Sequence, residues 1–133
     1  MTSPLTTELT VMGCSFALFL AHMTVQASLA LRDRGMAFNA GPRDDPNPLG
    51  RLACRAERAL ANFKETWPIL IALALGLAVT GRSGGMAATG AWIWLAARAA
   101  YLPLYLMGIP YLRTLCWGVA TAGLVMMGLK LFL

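Results

Sequence analysis

Residues 51–80 read RLACRAERALANFKETWPILIALALGLAVT, charged in the first half and almost wholly apolar in the second. Taken as one helix that starts near Pro48 and runs to about Thr80, the segment is roughly 50 Å long at 1.5 Å per residue. It therefore exceeds the bilayer's hydrocarbon core, about 30 Å thick. The apolar half is expected in lipid, and the first two turns, with Arg51 and Arg55, in headgroups or water. Three further apolar stretches flank it, from about Leu5 to Leu31, Met86 to Met107 and Tyr111 to Leu133. Each meets the requirement of about 20 residues per span, and 133 residues leave room for four spans and no more. The expected fold is an all-α membrane protein, one domain over residues 1–133 built as a bundle of four transmembrane helices.

Composition agrees with that reading. Hydrophobic residues make up 58% of the chain and charged residues 13%, with a mean hydropathy of +0.62. A soluble domain carries about a quarter charged residues. The net charge of +5 does not point to nucleic acid, because the arginines gather around one loop, about residues 32–47, as the positive-inside rule expects. That loop is crowded with turn formers in NAGPRDDPNPLG, residues 39–50, and is expected to be exposed. Arg32, Arg34, Arg43, Arg51, Arg55 and Arg113 fall on its side of the membrane, against Arg82 and Lys130 on the other, so both termini are expected to be non-cytoplasmic. Ser3 and Pro4 read as an N-cap and first helical residue. Glu8 stands where a secretory signal would be basic, so the first span is expected to be retained. Cys14, Cys54 and Cys116 lack the spacing of a metal or redox pair and read as apolar fillers.

Ionisable residues inside spans are the functional signal, since each costs at least about 2.5 kcal/mol at mid-membrane. Arg51, Arg55, Arg58, Asn62 and Glu65 recur at helical spacing and share a stripe roughly 80° wide. Arg98, Tyr101 and Tyr105 share a second narrow face. Lys64 lies opposite the first stripe and is expected to snorkel. One reading is an ion-pair network of Arg58, Glu65 and Arg98 that only joins helices. The excess of positive charge over the single carboxylate points instead to an anionic ligand. No metal is expected, because His22 has no second ligand at metal spacing and reads as a hydrogen-bonded residue near Gln26. Pro68 and Pro103 free carbonyls within their helices, while Trp92, Trp94 and Met126-Met127 read as lipid-facing belts and packing.

At these residues the chain resembles the membrane-associated proteins in eicosanoid and glutathione metabolism, the MAPEG family. The resemblance rests on RALANFKETWP (58–68), on ARAAY (97–101) with Tyr105, and on GIPYLRT (108–114), and it extends over essentially the whole chain. It implies a homotrimer in the membrane lipid with glutathione as co-substrate, held between subunits near the cytoplasmic face. By the same resemblance Arg58, Asn62 and Glu65, with Arg55 beside them, hold the tripeptide, and Arg98, Tyr101 and Tyr105 complete the pocket. Arg113 stands near the sulfur as the catalytic residue, and Arg32 matches a basic residue at the end of the first helix. GIPYLRT is most similar to a small bacterial branch, which implies a bacterial inner membrane. Thr66 and Leu60 depart from better studied members, which often carry an aromatic or amide residue after the glutamate and a polar one two before the asparagine.

The expected activity is that of a glutathione transferase or peroxidase-like enzyme, which activates the thiol for attack on an apolar electrophile arriving through lipid. A small four-span multidrug transporter coupled to protons is the main alternative. It requires an isolated intramembrane glutamate, whereas Glu65 shares its face with arginine. A catalytically silent membrane scaffold is the third.

Overall fold

The computed structural model describes residues 4–133. They form α1 (Thr7–Arg34), α2 (Met36–Ala40), α3 (Arg51–Val79), α4 (Met86–Met107) and α5 (Pro110–Phe132). Ser3, read as the first N-cap, lies outside the described residues, and Pro4 precedes the helix instead of opening it. Thr6 takes the role, its Oγ1 accepting the Leu9 N–H at 3.3 Å. α1 ends at Gly35, whose N–H donates to the Leu31 carbonyl.

The loop on the arginine-rich side is more ordered than its turn formers suggest, because residues 36–40 form the short helix α2. Two contacts then fold it back on the end of α1. Asp33 Oδ2 accepts the Gly50 N–H at 2.9 Å, and Arg34 Nε donates to the Asn47 carbonyl at 2.6 Å. Gly50 is extended, so α3 starts at Arg51 with Pro48 in the non-helical segment ahead of it. At 29 residues α3 is about 44 Å long.

At the opposite end, Glu8 is fully buried and its Oε1 accepts the Gly84 N–H at 2.7 Å, which fastens α1 to the α3–α4 turn. Arg82 Nη1 donates to the Leu131 carbonyl at 2.6 Å and ties the same turn to α5.

α1, α3 and α5 are long and apolar enough to cross a membrane, and only about a fifth of the residues in their apolar windows are fully buried within the subunit. α4 spans 22 residues but carries Arg98, two tyrosines and two tryptophans. Its cover comes mainly from α5, its most extensive neighbour. The core between the helices contains Val11, Phe63, Leu70, Leu77, Trp94 and Met127. Phe19 stacks on Trp67 at 4.5 Å, and Trp67 Nε1 donates to Ser15 Oγ at 2.8 Å. Of the two roles read for these aromatic residues, Trp94, fully buried, takes packing, whereas Trp92 is exposed.

The α4–α5 contact depends on Gly90 and Gly123. A Cβ on Gly123 would stand 2.5 Å from the Gly90 carbonyl oxygen and 3.0 Å from the Trp94 nitrogen, both backbone atoms that cannot rotate away. Small residues of this kind let membrane helices approach until their backbones touch. Gly123→Ala should therefore lower stability by about 1–3 kcal/mol, the usual cost of overpacking. The check is the thermal unfolding midpoint in mild detergent, with Gly118→Ala as control, since a Cβ at Gly118 meets nothing within 4 Å.

Candidate functional site

α4 supplies the centre of the site. Arg98 is 1% exposed, and its guanidinium reaches across to α3, where Nη1 donates to Asn62 Oδ1 at 2.6 Å and Nη2 to Thr66 Oγ1 at 2.5 Å. Its Nε is buried without a hydrogen-bond partner. One turn on, the Tyr101 ring lies 5.2 Å from the Arg98 guanidinium carbon and 5.5 Å from the Tyr105 ring. Arg113, in the first turn of α5, stands 4.7 Å over the Tyr105 ring. The run from Arg98 to Arg113 is thus cation, two aromatic rings, cation, and each guanidinium lies over the face of a ring that attracts it.

The α4–α5 turn that delivers Arg113 requires glycine at position 108. Its φ is +73°, and a Cβ there would fall 2.7 Å from the Arg55 guanidinium. Arg55 Nη1 donates to the Leu106 carbonyl at 3.1 Å, one of those left free at the end of α4. Ala59, Tyr101, Leu102 and Tyr105 form a small core here, with Val25, Leu106 and Cys116 packed against it.

The residues read from sequence separate into two groups. Arg55, Asn62, Arg98, Tyr101, Tyr105 and Arg113 meet inside the subunit around α3, α4 and α5. Arg58 and Glu65 are exposed on the outer edge of the same α3 stripe. The ion-pair network of Arg58, Glu65 and Arg98 is not formed: among the described residues the one ion pair joins Arg32 and Asp33, at 3.0 Å. Arg32 is therefore engaged at the end of α1, on the carboxylate that also holds Gly50. Lys64 is exposed. His22 is buried with Nδ1 2.9 Å from the Leu18 carbonyl and its ring against Phe63, so its partner is the backbone of its own helix and not Gln26.

Thr66 was the residue not singled out as a ligand of the site. Its signal was available, since it stands four residues after Asn62 and so on the same edge of α3, yet a neutral hydroxyl is a weaker cue than the adjacent carboxylate.

A buried guanidinium held only by neutral acceptors keeps its full charge in a poorly solvated place. Together with Arg113 it concentrates positive charge beside the α4–α5 turn, on a subunit with three helices long and apolar enough to cross a membrane. The fold and this site define an α-helical integral membrane protein with a cationic polar centre at one end. The sequence model of the MAPEG family matches residues 9–133, and the chain belongs to that family. It is therefore a membrane protein of the group that serves eicosanoid and glutathione metabolism. Neither the curated proteins nor the solved structures give a match.

Removing one acceptor from Arg98 leaves a buried charged donor unsatisfied, which costs about 1–3 kcal/mol or more. Thr66→Val should lower the unfolding midpoint in detergent clearly, whereas Thr66→Ser should retain most of it. Glu65→Gln, at an exposed carboxylate outside this contact, should leave the ligand-free protein nearly unchanged.

Proposed function

We propose that this protein binds glutathione at the Arg98 centre, activates its thiol and transfers it to an apolar electrophile that arrives through the lipid. In this reading the chain crosses the membrane four times, with both termini non-cytoplasmic, and assembles as a homotrimer. The observation that carries it is the buried Arg98 guanidinium, which has no carboxylate partner and an unpartnered Nε. Glutathione is an anion with two carboxylates, an amine and a thiol, so it complements a set of guanidinium donors combined with one carboxylate and one amide.

The division of the α3 stripe supports a site between subunits. Arg58 and Glu65 lie on the subunit's surface, one turn from the inward-facing Asn62, and a neighbouring copy would bring them against the same ligand. Within this arrangement Arg58, Asn62 and Glu65 hold the peptide's charged ends, and Tyr101 and Tyr105 wall the pocket. Arg32, tied to Asp33 and well exposed, has the weakest claim to contact.

Arg113 is the group placed to act on sulfur. A thiol with an ordinary pKa of about 8.5 needs about 2.7 kcal/mol of preference for the thiolate to drop by about two units. A guanidinium at about 4 Å supplies about 4 kcal/mol at an effective dielectric of about 20. The proton leaves to water, the thiolate forms a carbon–sulfur bond, and the electrophile's leaving group departs with the bonding pair or, in an addition, the electron pair stays on the electrophile. Arg113 begins one turn into α5, where the helix N-terminus adds partial positive charge.

The test is calorimetry with glutathione on detergent-purified protein, together with the thiolate absorbance of the bound ligand at neutral pH. Parent protein should bind and show the thiolate band. Arg113→Ala should bind with only modestly lower affinity and lose most of that band, and Arg113→Lys should keep part of it. No heat at millimolar glutathione overturns the binding, and an undiminished band in Arg113→Ala overturns the role of Arg113. A stable monomer by mass in mild detergent would remove the intersubunit site.

A further inference from the structure

A second polar site lies at the arginine-rich end of the bundle, away from Arg98. It is a cavity of about 310 Å³ between α1, α2 and α3, lined by Gln26, Leu31, Arg34, Asn39, Arg43 and Glu57 among others. That volume is at the lower end of the range of about 300–1,000 Å³ for small-molecule sites. Its composition is unlike the Arg98 centre, because two guanidinium groups and a carboxylate line one space without pairing. Among the described residues Glu57 forms no ion pair with either arginine.

Four observations indicate that the cavity is built and is not a gap between loops. Arg43 has a φ of +62°, in the left-handed region that non-glycine residues rarely occupy. Its guanidinium donates from Nε and Nη2 to the Asn39 carbonyl, at 3.1 and 2.7 Å, which holds the side chain at the rim. Arg34 is held in the same manner through Nε, on the Asn47 carbonyl. Each arginine is thus positioned by one part of its fork and keeps the rest of its donors for another partner. Asn39 Nδ2, finally, is a buried amide nitrogen without any partner.

From this set we infer that the cavity binds the headgroup of a zwitterionic phospholipid, its phosphate on Arg34, Arg43 and Asn39 Nδ2 and its primary ammonium on Glu57. Spare guanidinium N–H donors suit phosphate oxygens. A carboxylate in the same space disfavours a purely anionic headgroup and favours one that ends in an N–H-bearing cation. The half-exposed Leu31 beside the cavity gives the acyl chains an apolar wall that continues down α1. The last turns of a helix too long for the hydrocarbon core place this cavity at headgroup depth.

The inference does not rest on the glutathione reading, and its test separates the two. Full-length protein is stripped of lipid in mild detergent and exposed to vesicles that contain equal amounts of phosphatidylethanolamine, phosphatidylcholine and phosphatidylglycerol with identical acyl chains. Retained lipid is then counted by native mass spectrometry. Parent protein should retain phosphatidylethanolamine about tenfold over the other two, the factor that corresponds to about 1.4 kcal/mol. Glu57→Gln, at an exposed position, should abolish the preference over phosphatidylcholine while leaving lipid bound. Arg43→Gln should reduce retention of all three, and Arg43→Lys should fall between, which guards against a variant that simply misfolds. Glutathione heats should be unchanged in every variant. Equal retention of the three lipids by the parent protein, or full preference in Glu57→Gln, overturns the proposal. So does displacement of the lipid by soluble phosphoethanolamine at the same concentration, which would make a free metabolite the ligand.

Discussion

The arrangement of this bundle depends on one guanidinium that has no carboxylate in contact with it. Arg98 is buried, and its two contacts are to the neutral oxygens of Asn62 and Thr66. Those contacts fix the rotation of α3 about its own axis, because only one edge of that helix can present both oxygens to α4. Once that edge is turned inward, Arg55 falls beside the α4–α5 turn and Arg58 and Glu65 are left on the outside. The polar half of α3 is thus divided by the Arg98 contacts into residues that complete the subunit and residues that lie on its surface.

The sequence carried the helices and the polar faces well, because both are statements about period. Length and hydropathy marked the long helices, and recurrence every three or four residues gathered Arg98, Tyr101 and Tyr105. Which partner Arg98 chooses was not legible. Glu65 and Thr66 are consecutive and differ by about 100° around α3, so the choice between them is set by the helix's rotation, and formal charge favours the carboxylate that the structure leaves outside. Which of its two roles, belt or packing, Trp94 takes was not legible for a related reason. An aromatic residue in an apolar helix suits lipid and core equally, and the glycine pairing of α4 with α5 decides the matter. The helical turn at residues 36–40 was hidden among turn formers, since its stops at Gly35 and Gly41 resemble an ordinary loop.

Carboxylates do the same work at the two ends. Asp33 and Glu8 each accept a backbone N–H from a glycine distant in sequence, Gly50 and Gly84, and so close a connection between helices. Neither is spent on the cationic centre. The acids at these helix ends hold loops, and the one nearest Arg98 in sequence on α3, Glu65, stays on the surface, which a count of charges does not disclose.

The pairing of Gly90 with Gly123 bears on how the chain enters its membrane. α4 holds the charge that lipid disfavours most, at least about 2.5 kcal/mol for an arginine at mid-span. It is also the helix whose backbone lies closest against a neighbour. The neighbour, α5, follows after a connection only a few residues long. A translocating machine that released α4 alone would expose Arg98 to hydrocarbon with neither α3 nor α5 over it. A hairpin that partitioned as a whole would carry α4 into the membrane with its glycine contact to α5 already made. The smallest residues in the bundle thereby make its last two helices one closely packed hairpin.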